Sequence, residues 1–106
     1  MKHLKQHRHY LHIISSGEGG QIKALLKTAN QKQVDIISEI ASNILQKVIE
    51  LSSKDKMELE PYAKFIRTIG RKGNRLSTRK KAIVKNWQCV AILIKIALKT
   101  LLKLWL

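Results

Sequence analysis

The chain has 106 residues, which is enough for one small domain and too few for two. Hydrophobic residues make up 44% and aromatic residues only 5%, and one proline with five glycines favours helices over a turn-rich β fold. The single cysteine, Cys89, excludes an internal disulfide, so the chain needs no oxidising compartment.

The net charge of +14 is concentrated in the second half of the chain. Residues 1–60 hold nine Lys or Arg and all seven acidic residues, so they carry +2. Residues 61–106 hold twelve Lys or Arg and no acid, so they carry +12. A segment with only one sign of charge repels itself and calls for a polyanion. We therefore expect nucleic acid as the partner, and an anionic membrane as the alternative.

The first helix is predicted over residues 3–14, where Leu4, Leu11 and Ile14 recur at helical spacing. The serines and glycines at 15–20 then predict a loop, and a second short helix is predicted at 21–29.

Four histidines, at positions 3, 7, 9 and 12, and the neighbouring basic residues interrupt any apolar stretch, which excludes a classical secretory signal. No Cys, Asp or Glu accompanies them, so we expect a polar basic arm and no metal site.

The longest helix is predicted at 31–51, with Asn30 as its N-cap. Its apolar residues step by three and four along one seam: Val34, Ile37, Ala41, Ile44, Val48 and Leu51. A seam of three heptads or fewer in a small domain indicates a core helix rather than a coiled coil.

A fourth helix is predicted at 54–70, capped by Ser53 and ended by Gly70 and Gly73. Pro61 removes a backbone hydrogen bond, so this helix either kinks or starts near Glu60. A fifth helix is predicted to start after Ser77 as N-cap and to run through residue 85.

These elements predict an all-α fold, one small domain of four to five helices packed around the helix at 31–51. Residues 1–76 form its mixed-charge helical bundle portion. Residues 77–106 form a basic helix start that runs into an amphipathic, apolar C-terminal helix.

A basic block lies between residues 64 and 85 and contains nine cations without any acid. Its members are Lys64, Arg67, Arg71, Lys72, Arg75, Arg79, Lys80, Lys81 and Lys85. Cations that neutralise phosphates release counterions, so affinity should fall steeply with salt. No zinc finger, RNP motif or basic zipper accompanies the block, which predicts sequence-nonspecific nucleic-acid binding.

No catalytic pattern is present. The serines, the histidines and Cys89 show no nucleophile–base spacing, and the glycines at 17–20 lack the Lys-Ser/Thr of a P-loop. We therefore expect no enzyme, no cofactor and no small-molecule substrate. The expected location is the nucleus or a virion, or otherwise the cytoplasm.

The C-terminal stretch carries lysines at 95, 99 and 103 within an apolar run, and no uncharged run reaches the 18 residues of an ordinary transmembrane helix. Two interpretations stay open: an interfacial membrane helix and a core helix with one exposed stripe. The residues that would contact a membrane or a partner helix are Trp87, Ile94, Leu98, Leu101, Leu102 and Trp105.

Three stretches follow one another along the chain: EIASNIL, LSSKDKMELEPYAKFIRTI and RLSTRKKAIVKN. In this order and spacing, residues 9–85 resemble small basic proteins encoded by Polinton/Maverick-type DNA elements and adintoviruses. The resemblance implies a virion component akin to the small basic core proteins of adenovirus-like viruses. Arg79, Lys80, Lys81 and Lys85 match the basic pattern of that family, whereas Pro61 departs from it.

The tail after Asn86 departs further, since the related proteins carry a Gly-rich turn and a Leu/Pro-rich end there. We hypothesise that this tail is a frameshifted reading of a decayed copy, without selected function. Genomic DNA tests this: a single-base deletion after the Asn86 codon must restore a Gly-containing, Leu/Pro-rich tail.

Overall fold

The computed structural model describes residues 7–47, 49–71 and 75–105, with side chains to Thr100. These residues form helices and turns and no strand, which confirms the all-α class. The α-helices are α1 (Arg8–Ser16), α2 (Gly19–Lys27), α3 (Gln31–Leu45), α4 (Ser53–Leu59), α5 (Ala63–Gly70), α6 (Leu76–Lys85) and α7 (Trp87–Trp105). The radius of gyration is 12.6 Å and the extents are 33 × 27 × 25 Å, as expected for a single domain of this length.

The loop between the first two helices is shorter than predicted. α1 continues through Ser16, and the Ser15 and Ser16 hydroxyls both donate to the His12 carbonyl, at 2.9 and 2.8 Å. α2 already begins at Gly19, so only two residues remain of the predicted loop. Both helices bury their predicted apolar sides, including Leu11 and Ile14 on α1. The position of Leu4 lies outside the described residues.

α3 confirms the predicted N-cap and corrects the predicted end. The Asn30 side chain accepts from the Gln33 amide at 2.9 Å, and the Gln33 side chain accepts from the Asn30 amide at 2.9 Å, which is a complete capping box. The helix ends at Leu45 rather than at 51, and Lys47 follows with a φ of 60°. A left-handed residue cannot continue a right-handed helix. Ile49 nevertheless returns to the core.

Pro61 divides the predicted fourth helix in two. A 3₁₀ turn at Glu60–Tyr62 contains the proline and separates α4 from α5. This is the predicted interruption, because proline cannot donate the hydrogen bond that a continuous helix requires. The N-cap of α4 is Ser52, whose hydroxyl accepts from the Asp55 amide at 3.1 Å, and not the predicted Ser53.

The C-terminal stretch forms two helices that meet at Asn86. The N-cap position of α6 is occupied by Arg75, without a side-chain cap, so the predicted capping role of Ser77 is wrong. The Asn86 side chain donates to the Ala82 carbonyl at 2.9 Å and occupies the last turn of α6. α7 then starts at Trp87.

α7 is a core helix over its described side chains. It contacts α1, α2, α3 and α4. Its buried side chains are Cys89, Val90, Ala91, Leu93, Ile94, Ile96, Ala97 and Leu98, while Lys95 and Lys99 are exposed. Among the described residues, no helix has the length and apolarity needed to cross a membrane.

Of the residues expected to contact a membrane or a partner helix, two are buried against the other helices of the domain. Ile94 is fully buried and Leu98 is 6% exposed, because both pack into the domain core. Trp87 is half-buried at the start of the helix. The side chains of Leu101, Leu102 and Trp105 lie outside the described residues.

Candidate nucleic-acid interface

α6 carries the densest part of the basic block and contacts three helices besides α7, which follows it along the chain. It packs against α2, α3 and α5, and it buries Ile83 fully beneath it. Residues 77, 80, 81, 84 and 85 follow helical spacing and share one side of α6. This side faces the end of α2, so cations from two distant parts of the sequence meet there.

The contact between α2 and α6 forms what we call the basic groove. Its volume is about 500 Å³, and its described lining residues are Lys27, Ser77, Lys80, Lys81, Val84 and Lys85. Lys27, Lys81 and Lys85 are exposed and Lys80 is half-buried. None of these lining residues is acidic. The side chains of four lysines line the groove and no acidic side chain does, and lysine cations suit the oxygens of a phosphate backbone.

Lys27 is a member of this groove that the sequence did not predict. It ends α2, in the half of the chain whose charges nearly cancel. Only the packing of α2 against α6 places it beside the basic block. No local pattern distinguishes it from the other lysines of that half.

Arg79 belongs to the predicted block, but its side chain binds to two residues of α3. Its Nη2 lies 2.9 Å from Asp35 Oδ1, and its Nη1 donates to Ser38 Oγ at 3.0 Å. The Arg79 side chain is only 14% exposed, and its buried Nε makes no hydrogen bond to the described residues. The guanidinium thus fastens α6 to α3. Its role as a phosphate contact stays a prediction, which the ion pair with Asp35 does not favour.

The remaining cations of the block lie apart from the groove lining. Lys64 and Arg67 are exposed on α5, and Arg71 and Arg75 are exposed on either side of the undescribed stretch that contains Lys72. None of the four lines the basic groove. The structure therefore divides the predicted block into an α6 group and an outlying group.

A second groove, which we call the apolar groove, lies where the end of α3 meets α4 and α5. Its volume is about 370 Å³ and its lining includes Ile44, Leu51 and Ile66. The two large apolar side chains that are exposed in the described structure, Met57 at 74% and Leu45 at 41%, both line it. Arg67, Lys56 and Glu60 also line it, so its charges are mixed.

Trp87 lies next to the basic groove, at the end of α6. The Nζ of Lys23 lies 5.4 Å from the centroid of the indole ring. On α2, a Cβ built on Gly19 would come within 2.9 Å of the ring, so only glycine allows this approach. Lys23 and Lys27 are four residues apart and occupy the same side of α2.

Burial raises the pKa of two side chains in the described part of the chain, Cys89 and Tyr10. Cys89 is buried, and its burial raises the pKa of the thiol to about 12, so the nucleophilic thiolate is disfavoured. Burial likewise raises the pKa of Tyr10 to about 12. Within the described chain no group of three His, Cys, Asp or Glu side chains could hold a metal ion, and His3 lies outside it.

The chain matches no protein-family model, no curated protein and no solved structure. The resemblance of residues 9–85 to proteins of Polinton-type elements therefore stays a prediction.

Proposed function

We propose that this chain is a non-enzymatic, sequence-nonspecific nucleic-acid-binding protein whose phosphate contacts centre on the basic groove. The observation that carries the proposal is the convergence of Lys27 with Lys80, Lys81 and Lys85 on one groove without an acidic lining residue. Lysines are strongly hydrated point charges that hold phosphates without demanding one geometry, which suits binding to any sequence.

The outlying cations take a supporting part in the proposal. Arg75 lies directly before α6 and outside the groove lining, and Lys72 precedes it in the sequence. We propose that both add to the positive charge that a polyanion meets. Lys64, Arg67 and Arg71 contribute to the long-range positive potential that attracts a polyanion. We further propose, as the sequence predicts, that α3 is the central scaffold, since Asp35 and Ser38 hold α6 through Arg79.

The membrane alternative uses the same cations against anionic headgroups. The interfacial-helix form of this alternative requires the apolar side of α7, and the burial of Ile94 and Leu98 opposes it unless α7 leaves the domain. The same burial favours α7 as an integral part of the domain over a frameshifted tail. A role as a core protein in the virion of a virus-like mobile element, or in the nucleus or cytoplasm, follows only from the resemblance.

Binding of a labelled short DNA duplex over a salt series tests the proposal. Log affinity should fall linearly with log salt, with a slope of about −0.9 for each phosphate neutralised. The variant Lys80→Gln/Lys81→Gln/Lys85→Gln should flatten this slope by about two to three.

The matched control changes three exposed lysines elsewhere, Lys54→Gln/Lys95→Gln/Lys99→Gln, and removes the same total charge. Binding that is insensitive to salt, or equal losses in both variants, would refute a site at the groove. Binding to anionic vesicles but not to duplex would favour the membrane alternative. Truncation at Asn86 is unsuitable, because it removes the buried residues of α7.

A further inference from the structure

Trp87 continues the line of cations that forms the basic groove. It follows α6 directly, and Lys23 of α2 lies over its ring at 5.4 Å. Lys27, one helical turn further along α2, lines the groove together with Lys85. An aromatic ring at the start of α7 thus lies close to the lysines that α2 and α6 contribute.

The ring has two different environments. Part of it packs against the core and against Gly19, so the indole is held in place. Over the ring lies Lys23, whose side chain is exposed. A hydrated lysine on a flexible stem can move aside or pair with a phosphate, so the face of the ring beneath Lys23 can receive a flat ligand.

Single strands and duplexes differ in what they can offer to such a surface. Both present phosphates to the lysines, but the bases of a duplex are stacked inside the helix. A single strand offers unstacked bases, and basic grooves with aromatic platforms are the common way of binding it. Resting on the proposed function, we infer that the basic groove takes single-stranded nucleic acid, with phosphates on Lys27, Lys81 and Lys85 and one base stacked on Trp87.

Tryptophan fluorescence tests this inference directly. The chain has two tryptophans, so a full-length Trp105→Phe variant reports on Trp87 alone. Titration with oligothymidylate should quench its emission and saturate together with binding. A duplex of equal phosphate number should bind without this quenching, and about tenfold more weakly at the same salt.

A second variant measures the contribution of the ring. Trp87→Leu in the Trp105→Phe background keeps an apolar side chain but removes the platform. We expect about a tenfold loss of affinity for oligothymidylate. Affinity for the duplex should stay the same. The quenching experiment needs no change at Trp87, so it decides the question even where Trp87→Leu fails to fold.

The outcomes separate this inference from the proposed function. Saturating oligothymidylate that leaves the emission of Trp87 unchanged, or equal affinities before and after Trp87→Leu in folded protein, would overturn the inference alone. Lack of salt-dependent binding to either nucleic acid, or binding unaffected by the groove lysines, would overturn the proposed function as well.

Discussion

The basic groove and the apolar groove contain cations of the same predicted block, yet their surroundings differ. Lys80, Lys81 and Lys85 meet Lys27 where no acidic residue is present in the described lining. Arg67 instead shares its groove with Glu60 and with exposed apolar side chains. The comparison teaches that cations close together in the sequence can have different surroundings in the fold. The proposed phosphate site rests on lysines that come from separate helices and have no acidic neighbour in the described lining.

Charge reversal in each groove is the strongest way to break this comparison. Lys81→Glu/Lys85→Glu should weaken nucleic-acid binding by about 100-fold, because two attractions become repulsions at the contact itself. Lys56→Glu/Arg67→Glu changes the net charge equally but should cost only about threefold, through the screened long-range field. Anisotropy titrations at one salt concentration measure both. Similar losses would mean that net charge, and not the groove, determines binding.

Arg79→Met separates the structural arginine from the binding lysines. We expect the free energy of unfolding to fall by about 1 to 2 kcal/mol, because α6 loses its ion pair and its hydrogen bond to α3. Urea denaturation checks this. Asp35 is half exposed, so water can solvate the carboxylate that remains.

The control for this change is Asp35→Asn, which should lower the free energy of unfolding by somewhat less than Arg79→Met does. Nucleic-acid affinity of folded Arg79→Met should fall less than that of any single groove lysine variant. A larger fall would return Arg79 to the phosphate contacts.

Ser77→Glu introduces a carboxylate into the basic groove without removing a lysine. Ser77 is exposed and lines the groove, so the new charge should pair with neighbouring ammonium groups and compete with phosphate. We expect affinity to fall about fivefold, while Ser77→Gln changes it little. A competition titration against labelled oligonucleotide measures the difference. Equal effects of the two variants would point to sterics instead of charge.

Met57→Gln should have the smallest effect and defines the baseline of the comparison. Met57 is 74% exposed, so its replacement should change stability by less than about 0.5 kcal/mol. Nucleic-acid affinity should not change, because the apolar groove takes no part in the proposed contact. Thermal denaturation measures the change in stability, and the same anisotropy assay measures the affinity. A reduced affinity would mean that the apolar groove takes part in nucleic-acid binding.

Periodicity and capping chemistry predicted a large part of the fold. The seam of α3 and the capping box at Asn30 were readable because both depend on residues three or four positions apart. The break at Pro61 was readable for the same local reason. The sequence does not predict the end of α3, because apolar residues at helical spacing continue to Leu51. A lysine side chain also gives no indication of the left-handed backbone conformation at Lys47.

The candidate site was less predictable, because it depends on which helices meet. The basic block was visible as composition, but Lys27 joins it only through the contact of α2 with α6. Arg79 looked equivalent to Lys80 and Lys81 until Asp35, more than forty positions earlier, proved to be its partner. The two interpretations of the tail likewise required tertiary contacts, since the same pattern fits a lipid surface and a protein core.

If molecules with the 27 Å width of this domain bound side by side along nucleic acid, their width and charge would set how much of its charge they neutralise. Along a duplex, 27 Å contains about 16 phosphate charges, since one occurs every 1.7 Å. A net charge of +14 per molecule would leave a duplex covered by one molecule every 27 Å almost neutral, so adjacent covered duplexes would lose their mutual repulsion. Along one stacked strand the same length contains about 8 phosphates. A fully covered strand would therefore reverse its sign and migrate towards the cathode.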